Sequence, residues 1–590
     1  NQSTTKNTAK TVTLSETDAD TGDSHTFTAT TSASQITIEI SGTTLTLTPD
    51  NNWTGTSTIT IKANDGTVDS AAKTFVLTVS DSNATPTLAS ISAQATNQSV
   101  KKTVSITAAD GDSDTLSYTI TSSPSGKVLG SVSGSTLTLT PLASYNGTAA
   151  VTVTVSDGTA TAARTFNLVV TANDPLYKYQ WHLDNTDQTN FASNAGSSGN
   201  DHNVAGAITD GYTGNGIIVA VTDSGLQIAH EDLAANVVSN GSWDFPNGDN
   251  DPTPSGTGGD HGTSVAGLIA SVGWNAKGGR GVAPGASLKG FNINASGATE
   301  AHLLQALGSS FSRSADVDIF NLSWGLDQPY DSLANATREA TFENGANNLR
   351  SGKGALYVRS SGNGFTDYAG VTCSSMWNNY NNGEHSCQNG NHEPDQTHPE
   401  GINVGAIQAN GIRSSYSTAG STLWVSGSGG EYGESYPALT STDIMGCSAG
   451  YVKSGSADNY NAFDNQGNHS ENSACNYTAK FNGTSSAAPV VAGGIAMILE
   501  AKPALTWRDV KHILASTSDQ VHADIGDITE AIYPANHGGS GAGMVIEPGW
   551  LTNGAGYKFH NWYGFGRINV TAAVALAKTM TANNLGTFTE

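Results

Sequence analysis

Over the first 173 residues apolar and polar positions alternate with period two, as in Thr58-Ile-Thr-Ile61 and Val151-Thr-Val-Thr-Val155, and Asp-Gly pairs punctuate the runs. Such alternation gives a segment one face for a core and one for water, and Asp-Gly favours tight turns, so short antiparallel strands are expected. The pattern also repeats. Ser41-Gly-Thr-Thr-Leu-Thr-Leu-Thr-Pro49 recurs as Ser133-Gly-Ser-Thr-Leu-Thr-Leu-Thr-Pro141, an offset of 92, and the same register sets Trp53 against Tyr145 and Asp65-Gly-Thr67 against Asp157-Gly-Thr159. We read two copies of one domain, 1–82 and 83–173, each a seven-stranded sandwich. Equivalent placement makes Trp53 and Tyr145 core residues rather than an exposed binding stripe.

After Pro175 alternation gives way to continuous apolar runs separated by helical patterns, the signature of parallel strands covered on both faces. Strands are expected at 217–222, 286–293, 317–321, 355–359 and 402–407. Between them Val265, Leu268, Ile269 and Val272 follow i, i+3, i+4, i+7, and Val491, Ile495, Ile498 and Leu499 mark a second amphipathic helix. The fold class is therefore multidomain: two all-β sandwich repeats, then an α/β domain over 174–580 with a parallel sheet and helices on both faces, and a tail at 581–590.

Charge narrows the partners. Asp plus Glu number 51 against 26 Lys plus Arg, a net charge of −25, which repels nucleic acid and anionic lipid surfaces. No run approaches the roughly 18 apolar residues of a membrane span, and the start, Asn1-Gln-Ser3, lacks a basic and then apolar leader, so a processed, secreted form is expected. The four cysteines, at 373, 387, 447 and 475, permit three pairings; two local disulfides are the simplest, and no spacing resembles a paired C-x-x-C zinc site. An oxidising, extracellular setting follows. The acidic groups Asp18, Asp20, Asp23 and Asp110, Asp112, Asp114 read as solvated loops, with calcium as the alternative.

Chemistry concentrates in four motifs of the second half. An apolar strand ends in Asp223-Ser-Gly225; His261 opens the helix His261-Gly-Thr-Ser-Val-Ala-Gly267; Gly483-Thr-Ser485-Ser-Ala-Ala-Pro489 puts a hydroxyl at the start of another helix; and Ser360-Ser-Gly-Asn363-Gly364 fixes an amide just past a strand. Singly, each has a bland reading as a cap or turn. Jointly they supply what acyl transfer needs: a nucleophile, a base, a carboxylate that orients the base, and a donor for the oxyanion. The proline is expected in the first helical turn.

These motifs resemble those of the subtilisin-like serine proteases, within them the kexin/furin branch. Asp174-Pro-Leu-Tyr-Lys-Tyr-Gln-Trp-His-Leu183, Gly241-Ser-Trp-Asp-Phe245, Asn321-Leu-Ser-Trp-Gly325, Gly427-Ser-Gly-Gly-Glu-Tyr432, Leu505-Thr-Trp-Arg-Asp-Val510 and Tyr563-Gly-Phe-Gly-Arg-Ile-Asn569 carry the resemblance from 174 to about 577. It implies a secreted endopeptidase acting on proteins and peptides, with catalytic Asp223, His261 and Ser485, Asn363 in the oxyanion hole, and Ser323, Trp324 and Gly325 pairing with the substrate main chain. It also implies a structural Ca2+ held by Asp174, Asp232 and Asn275 with carbonyl oxygens of Val272, Lys277 and Gly279. A second calcium site looks impaired, with Thr418 and Gln328 at family acid positions and Asp327 and Asp367 as substitutes. For the S1 pocket, ungapped counting lands on Glu393, with Asp395 two residues on, which favours Arg or Lys at P1 over a broad apolar preference. Kexin-like enzymes carry a β-sandwich P domain after the catalytic domain, where this sequence shows only a short tail after Ala577; either the two N-terminal repeats take over its supporting role or a C-terminal domain has been removed. The first 173 residues resemble immunoglobulin-like and cadherin-like repeats of bacterial secreted proteins, either a surface or polymer anchor or a passive spacer. The reading from another class is an adhesin displaying an inactive protease domain.

Overall fold

Period-two alternation folds as expected in both N-terminal copies of the computed structural model. It describes residues 1–590 apart from 20–23, 82, 99, 112, 143–144, 172–173, 255–259, 295, 326–334, 369–370, 373–385, 454–460, 530–544, 584 and 586–590. In the first copy a four-stranded sheet (Gln2–Thr5, Lys73–Ser80, Gly55–Asn64, Thr26–Thr31) faces a three-stranded one (Lys10–Thr13, Thr44–Pro49, Ile36–Ser41). The second copy repeats the plan with Gln94–Asn97, Thr161–Thr171, Gly147–Ser156 and Ser117–Ser123 against Lys102–Ser105, Thr136–Pro141 and Val128–Ser133. Leu45, Leu47 and Ile59 are buried in one core and their offset equivalents Leu137, Leu139 and Val151 in the other. Trp53 packs against the first core and Tyr145 is buried in the second, so neither forms a binding stripe.

The α/β domain is built on a seven-stranded parallel sheet: β1 (Ile218–Asp223), β2 (Trp243–Asp244), β3 (Ser287–Asn292), β4 (Ile319–Leu322), β5 (Leu356–Ser360), β6 (Gly401–Ile407) and β7 (Leu423–Ser428). The order across the sheet is β2-β3-β1-β4-β5-β6-β7. The chain adds strands to one side of β1 and then to the other, so the carboxyl end of β1 is a switch point, where open α/β sheets leave a crevice for ligands. Continuous apolar runs are explained by cover on both faces: Val219 and Val221 lie in one core, Ala220 in the other. The strands β2 and β7 were not foreseen; β2 is only two residues long and β7 begins inside a polar stretch.

Helices labelled in chain order are α1 (Val204–Thr209), α2 (His261–Ala270), α3 (Glu300–Ala306), α4 (Ala336–Gly352), α5 (Thr484–Ala501), α6 (Trp507–Thr517) and α7 (Val570–Thr579). Residues of α2, α5 and α7 share the core of Val219, and residues of α3 and α4 share that of Ala220. The i+7 step to Val272 overshoots, because α2 ends at Ala270 and Ser271 is extended; the Val272 N–H instead donates to the Asp232 carbonyl at 2.8 Å. One sequence expectation needs correction. α5, with 18 residues and a mean hydropathy of 1.3, is long and apolar enough to cross a membrane, yet it is 83% buried inside the domain as its central core helix.

Candidate active site

All four chemical motifs meet at the carboxyl end of the sheet. Asp223 closes β1 with its carboxylate buried; Oδ1 accepts from the Ser224 N–H at 2.6 Å and lies 2.8 Å from Nδ1 of His261. That approach requires the start of α2 to press on the turn after β1. At Gly262 a Cβ would stand 2.0 Å from the Gly225 carbonyl oxygen and 3.1 Å from the Asp223 Cβ, so only glycine lets the helix come this close. Burial on its own pushes the His261 imidazole down, but the Asp223 charge and hydrogen bond, aided by Asp260, outweigh it and hold the imidazole above 6.5. This pairing fixes the tautomer that leaves Nε2 to act as base.

Ser485 is the second residue of α5, where backbone N–H groups lack helical partners. Its Oγ donates to the Ser323 carbonyl at 3.1 Å rather than to His261. The expectation that proline is confined to the first turn is corrected, since Pro489 is the sixth residue of α5. Lacking an N–H, it releases the Ser485 carbonyl four residues earlier, and the Ser323 hydroxyl donates to that carbonyl at 2.9 Å. Asn321 Nδ2 donates in turn to the Ser323 Oγ at 2.9 Å.

Asn363 is oriented from the same helix. Its Oδ1 accepts from the Thr484 N–H at 2.9 Å and from the Thr484 hydroxyl at 3.0 Å, which turns Nδ2 outward as a donor. Gly483 has φ 94° and ψ 168°, a region open essentially to glycine alone. A Cβ there would lie 3.3 Å from Asn363 Nδ2, 3.5 Å from Asn363 Oδ1 and 3.5 Å from the Ser485 nitrogen, so the space beside Gly483 is bordered by the Asn363 amide and the Ser485 nitrogen. That shared volume suits an oxyanion. The Gly483 N–H is anchored by the buried Tyr416 hydroxyl at 2.8 Å.

Ser323, Trp324 and Gly325 continue from β4 beside this cradle, with the Trp324 indole N–H bonded to the Thr222 carbonyl at 2.9 Å. Glu393 comes to this wall, since a Cβ on Gly325 would lie 3.5 and 3.6 Å from its two oxygens, and Asp395 joins it through shared arginines. Both acids are already ion-paired. The buried Arg359, at the end of β5, bonds Glu393 and lies 3.1 Å from Asp395, which also meets Arg338 at 2.6 Å. Nothing in the sequence around Arg359 marks it as a partner of residues 34 and 36 positions away.

Of the expected calcium residues, Asp174, Asp232 and Asn275 come together past the C-terminal end of α2. Asp174 accepts from the backbone N–H groups of Trp274 (2.8 Å) and Asn275 (2.9 Å) and sits 3.3 Å from Arg280. The Asn275 amide donates to Asp232 Oδ1 at 2.6 Å, and the buried Asp232 Oδ2 has no hydrogen-bond partner among the described residues. Burial, with Asp174 nearby, pushes the Asp232 carboxyl up to about 8. An orphaned buried carboxylate oxygen fits a cation, while the Asn275 amide oxygen already accepts from the Lys277 N–H at 2.8 Å. Lys277 spends its backbone N–H on Asn275 Oδ1, and Gly279 packs on Gln180. Among the described residues no three His, Cys, Asp or Glu side chains converge, so such a site would depend on two carboxylates plus amide and carbonyl oxygens. Of the second site, Thr418 accepts from the Gly364 N–H at 3.0 Å, while Asp327, Gln328 and the side chain of Asp367 lie outside what is described.

Cys447 and Cys475 form a disulfide, and Cys373 lies outside the described residues, as do Asp20, Asp23 and Asp112 of the N-terminal acidic groups.

Residues 214–566 match the subtilase family, and 82–171 match a cadherin-like domain. The chain is 38% identical over 411 residues to an extracellular serine protease of Aeromonas sobria, covering 68% of this chain and 64% of that protein. To neuroendocrine convertase 2 of Bos taurus it is 30% identical over 426 residues, covering 69% and 53%. It superposes on the crystal structure of the serine protease of Aeromonas sobria with a TM-score of 0.63 at 35% identity, covering 69% and 68%. The chain belongs to the subtilase family.

Proposed function

We propose that this chain is a secreted serine endopeptidase that hydrolyses peptide bonds through an acyl-enzyme. The observation that carries the reading is the 2.8 Å Asp223–His261 pair set beside a serine at a helix N-terminus and an amide whose Nδ2 is turned outward by Thr484. In the reaction Ser485 leaves the Ser323 carbonyl, gives its proton to His261 Nε2 and attacks the scissile carbonyl. The Asn363 amide and the Ser485 N–H take the developing oxyanion. His261 then protonates the leaving amine, and water repeats the sequence to free the acid. Asp223 holds the imidazole in place and stabilises the imidazolium.

Ca2+ would be held by Asp174, Asp232 and Asn275 with carbonyls of Val272, Lys277 and Gly279, and would brace the segment that follows α2. The units run 1–82, 83–173, 174–580 and 581–590. Secretion is supported by the extracellular Aeromonas relative and by the Cys447–Cys475 disulfide. A basic P1 needs Glu393 to be open to substrate, and its pairing with Arg359 argues against that.

The adhesin alternative is separated from this reading by one experiment. A fluorophosphonate should label Ser485, and Ser485→Ala should abolish both labelling and peptide hydrolysis while the protein stays folded. Turnover near wild type in that variant would refute the triad.

A further inference from the structure

Two acids expected at the floor of the S1 pocket carry a counter-ion supplied by the chain itself. Arg359 lies in β5 four residues before Asn363, and its guanidinium is 5.3 Å from the ring of Trp324, the neighbour of Gly325. It bonds Glu393 Oε1 and lies 3.1 Å from Asp395 Oδ2. The second Glu393 oxygen accepts from Gln396 Nε2 at 2.7 Å, and Gln396 also donates to the Ser361 carbonyl at 3.1 Å, tying the acids to the strand that leads to the oxyanion hole. Arg338 completes the cluster at 2.6 Å from Asp395 and continues outward to Glu300. At its buried centre two cations face two anions. A cationic P1 side chain would enter as a third positive charge and would have to displace Arg359 from Glu393 in a partly desolvated site, whereas an uncharged side chain leaves the pairing whole.

We infer that Arg359 is the specificity-determining residue of the S1 pocket: it neutralises Glu393 and Asp395 and selects substrates with an uncharged P1 side chain. The inference rests on the endopeptidase reading above. It also says where a basic preference lies concealed, because removing the guanidinium would leave Glu393 to be answered by substrate.

The test is kcat/KM for one peptide series differing only at P1 (Phe, Leu, Gln, Glu, Lys, Arg). Rates are expressed per active site titrated with a fluorophosphonate, so failure of the triad reading appears as an absence of titratable sites, not as a changed ratio. Wild type is expected to favour uncharged P1 over Lys and Arg by about tenfold or more. Arg359→Met should shift the Arg-to-Phe ratio by about tenfold or more toward Arg, and adding Glu393→Gln should reverse the shift. Wild-type preference for Lys, Arg or Glu at P1 overturns the inference, and so does an Arg359→Met ratio equal to wild type. The wild-type profile decides the matter on its own should the variant fail to fold.

Discussion

Replacing Gly483 by alanine tests the oxyanion cradle with a single methyl group. At φ 94° and ψ 168° the added Cβ meets two opposing demands. The backbone region is essentially restricted to glycine, at a cost of about 1–3 kcal/mol, and the methyl would stand 3.3 Å from Asn363 Nδ2 and 3.5 Å from the Ser485 nitrogen. An oxyanion bonded to both donors at about 2.9 Å would have to share that space with a carbon atom. Losing one such donor is worth about 2.7–4 kcal/mol in the transition state, a fall in kcat of about 10²–10³. The stability term is small beside the roughly 5–15 kcal/mol of an ordinary domain, so the variant should remain folded and the loss should appear in turnover. The assay is kcat and KM on a short peptide, with active sites titrated and the melting temperature recorded. Asn363→Ala serves as the reference, with a comparable loss in kcat and little change in KM. Because both substitutions strike the same oxyanion, the double variant should lose much less than the product of the two. A Gly483→Ala enzyme with kcat within about threefold of wild type would refute the placement of the hole, and so would full additivity with Asn363→Ala.

The remaining predictions concern protons and metal. Because Asp223 outweighs burial and holds His261 above 6.5, and the base must be neutral, kcat/KM should rise with pH through a value above 6.5; Asp223→Asn should move that limb lower and cut kcat by about 10⁴. An acid limb that does not move in Asp223→Asn would count against the pairing. Chelation should lower the melting temperature. Burial raises the Asp232 carboxyl from 3.8 to about 8, so without a cation the folded state loses stability as pH rises toward 8, and the stabilisation by calcium should be larger at pH 8 than at pH 5. A melting temperature indifferent to chelator at both pH values would remove calcium from the account.

Much of the architecture could be read from the sequence because it is encoded locally. Period-two alternation and a nine-residue echo that differs only at Thr43 and Ser135 gave the two sandwiches, and runs such as 217–222 gave a sheet covered on both faces, since a strand carries its burial in its own side chains. The proposed triad was legible for a similar reason: each member sits at the end of a strand or the start of a helix, with glycines such as Gly262 and Gly483 beside it, and those junctions announce themselves in a few residues. Charge pairing across the fold is different. Tertiary packing alone brought Arg359 to Glu393 and Asp395, let Pro489 free the Ser485 carbonyl for Ser323, and used Thr484 to aim Asn363. An ion pair between residues more than thirty positions apart leaves no period or spacing in the chain. It is set by which strands lie side by side, and so the four motifs follow from local sequence while the pairing of Arg359 with Glu393 and Asp395 is decided by the packed structure.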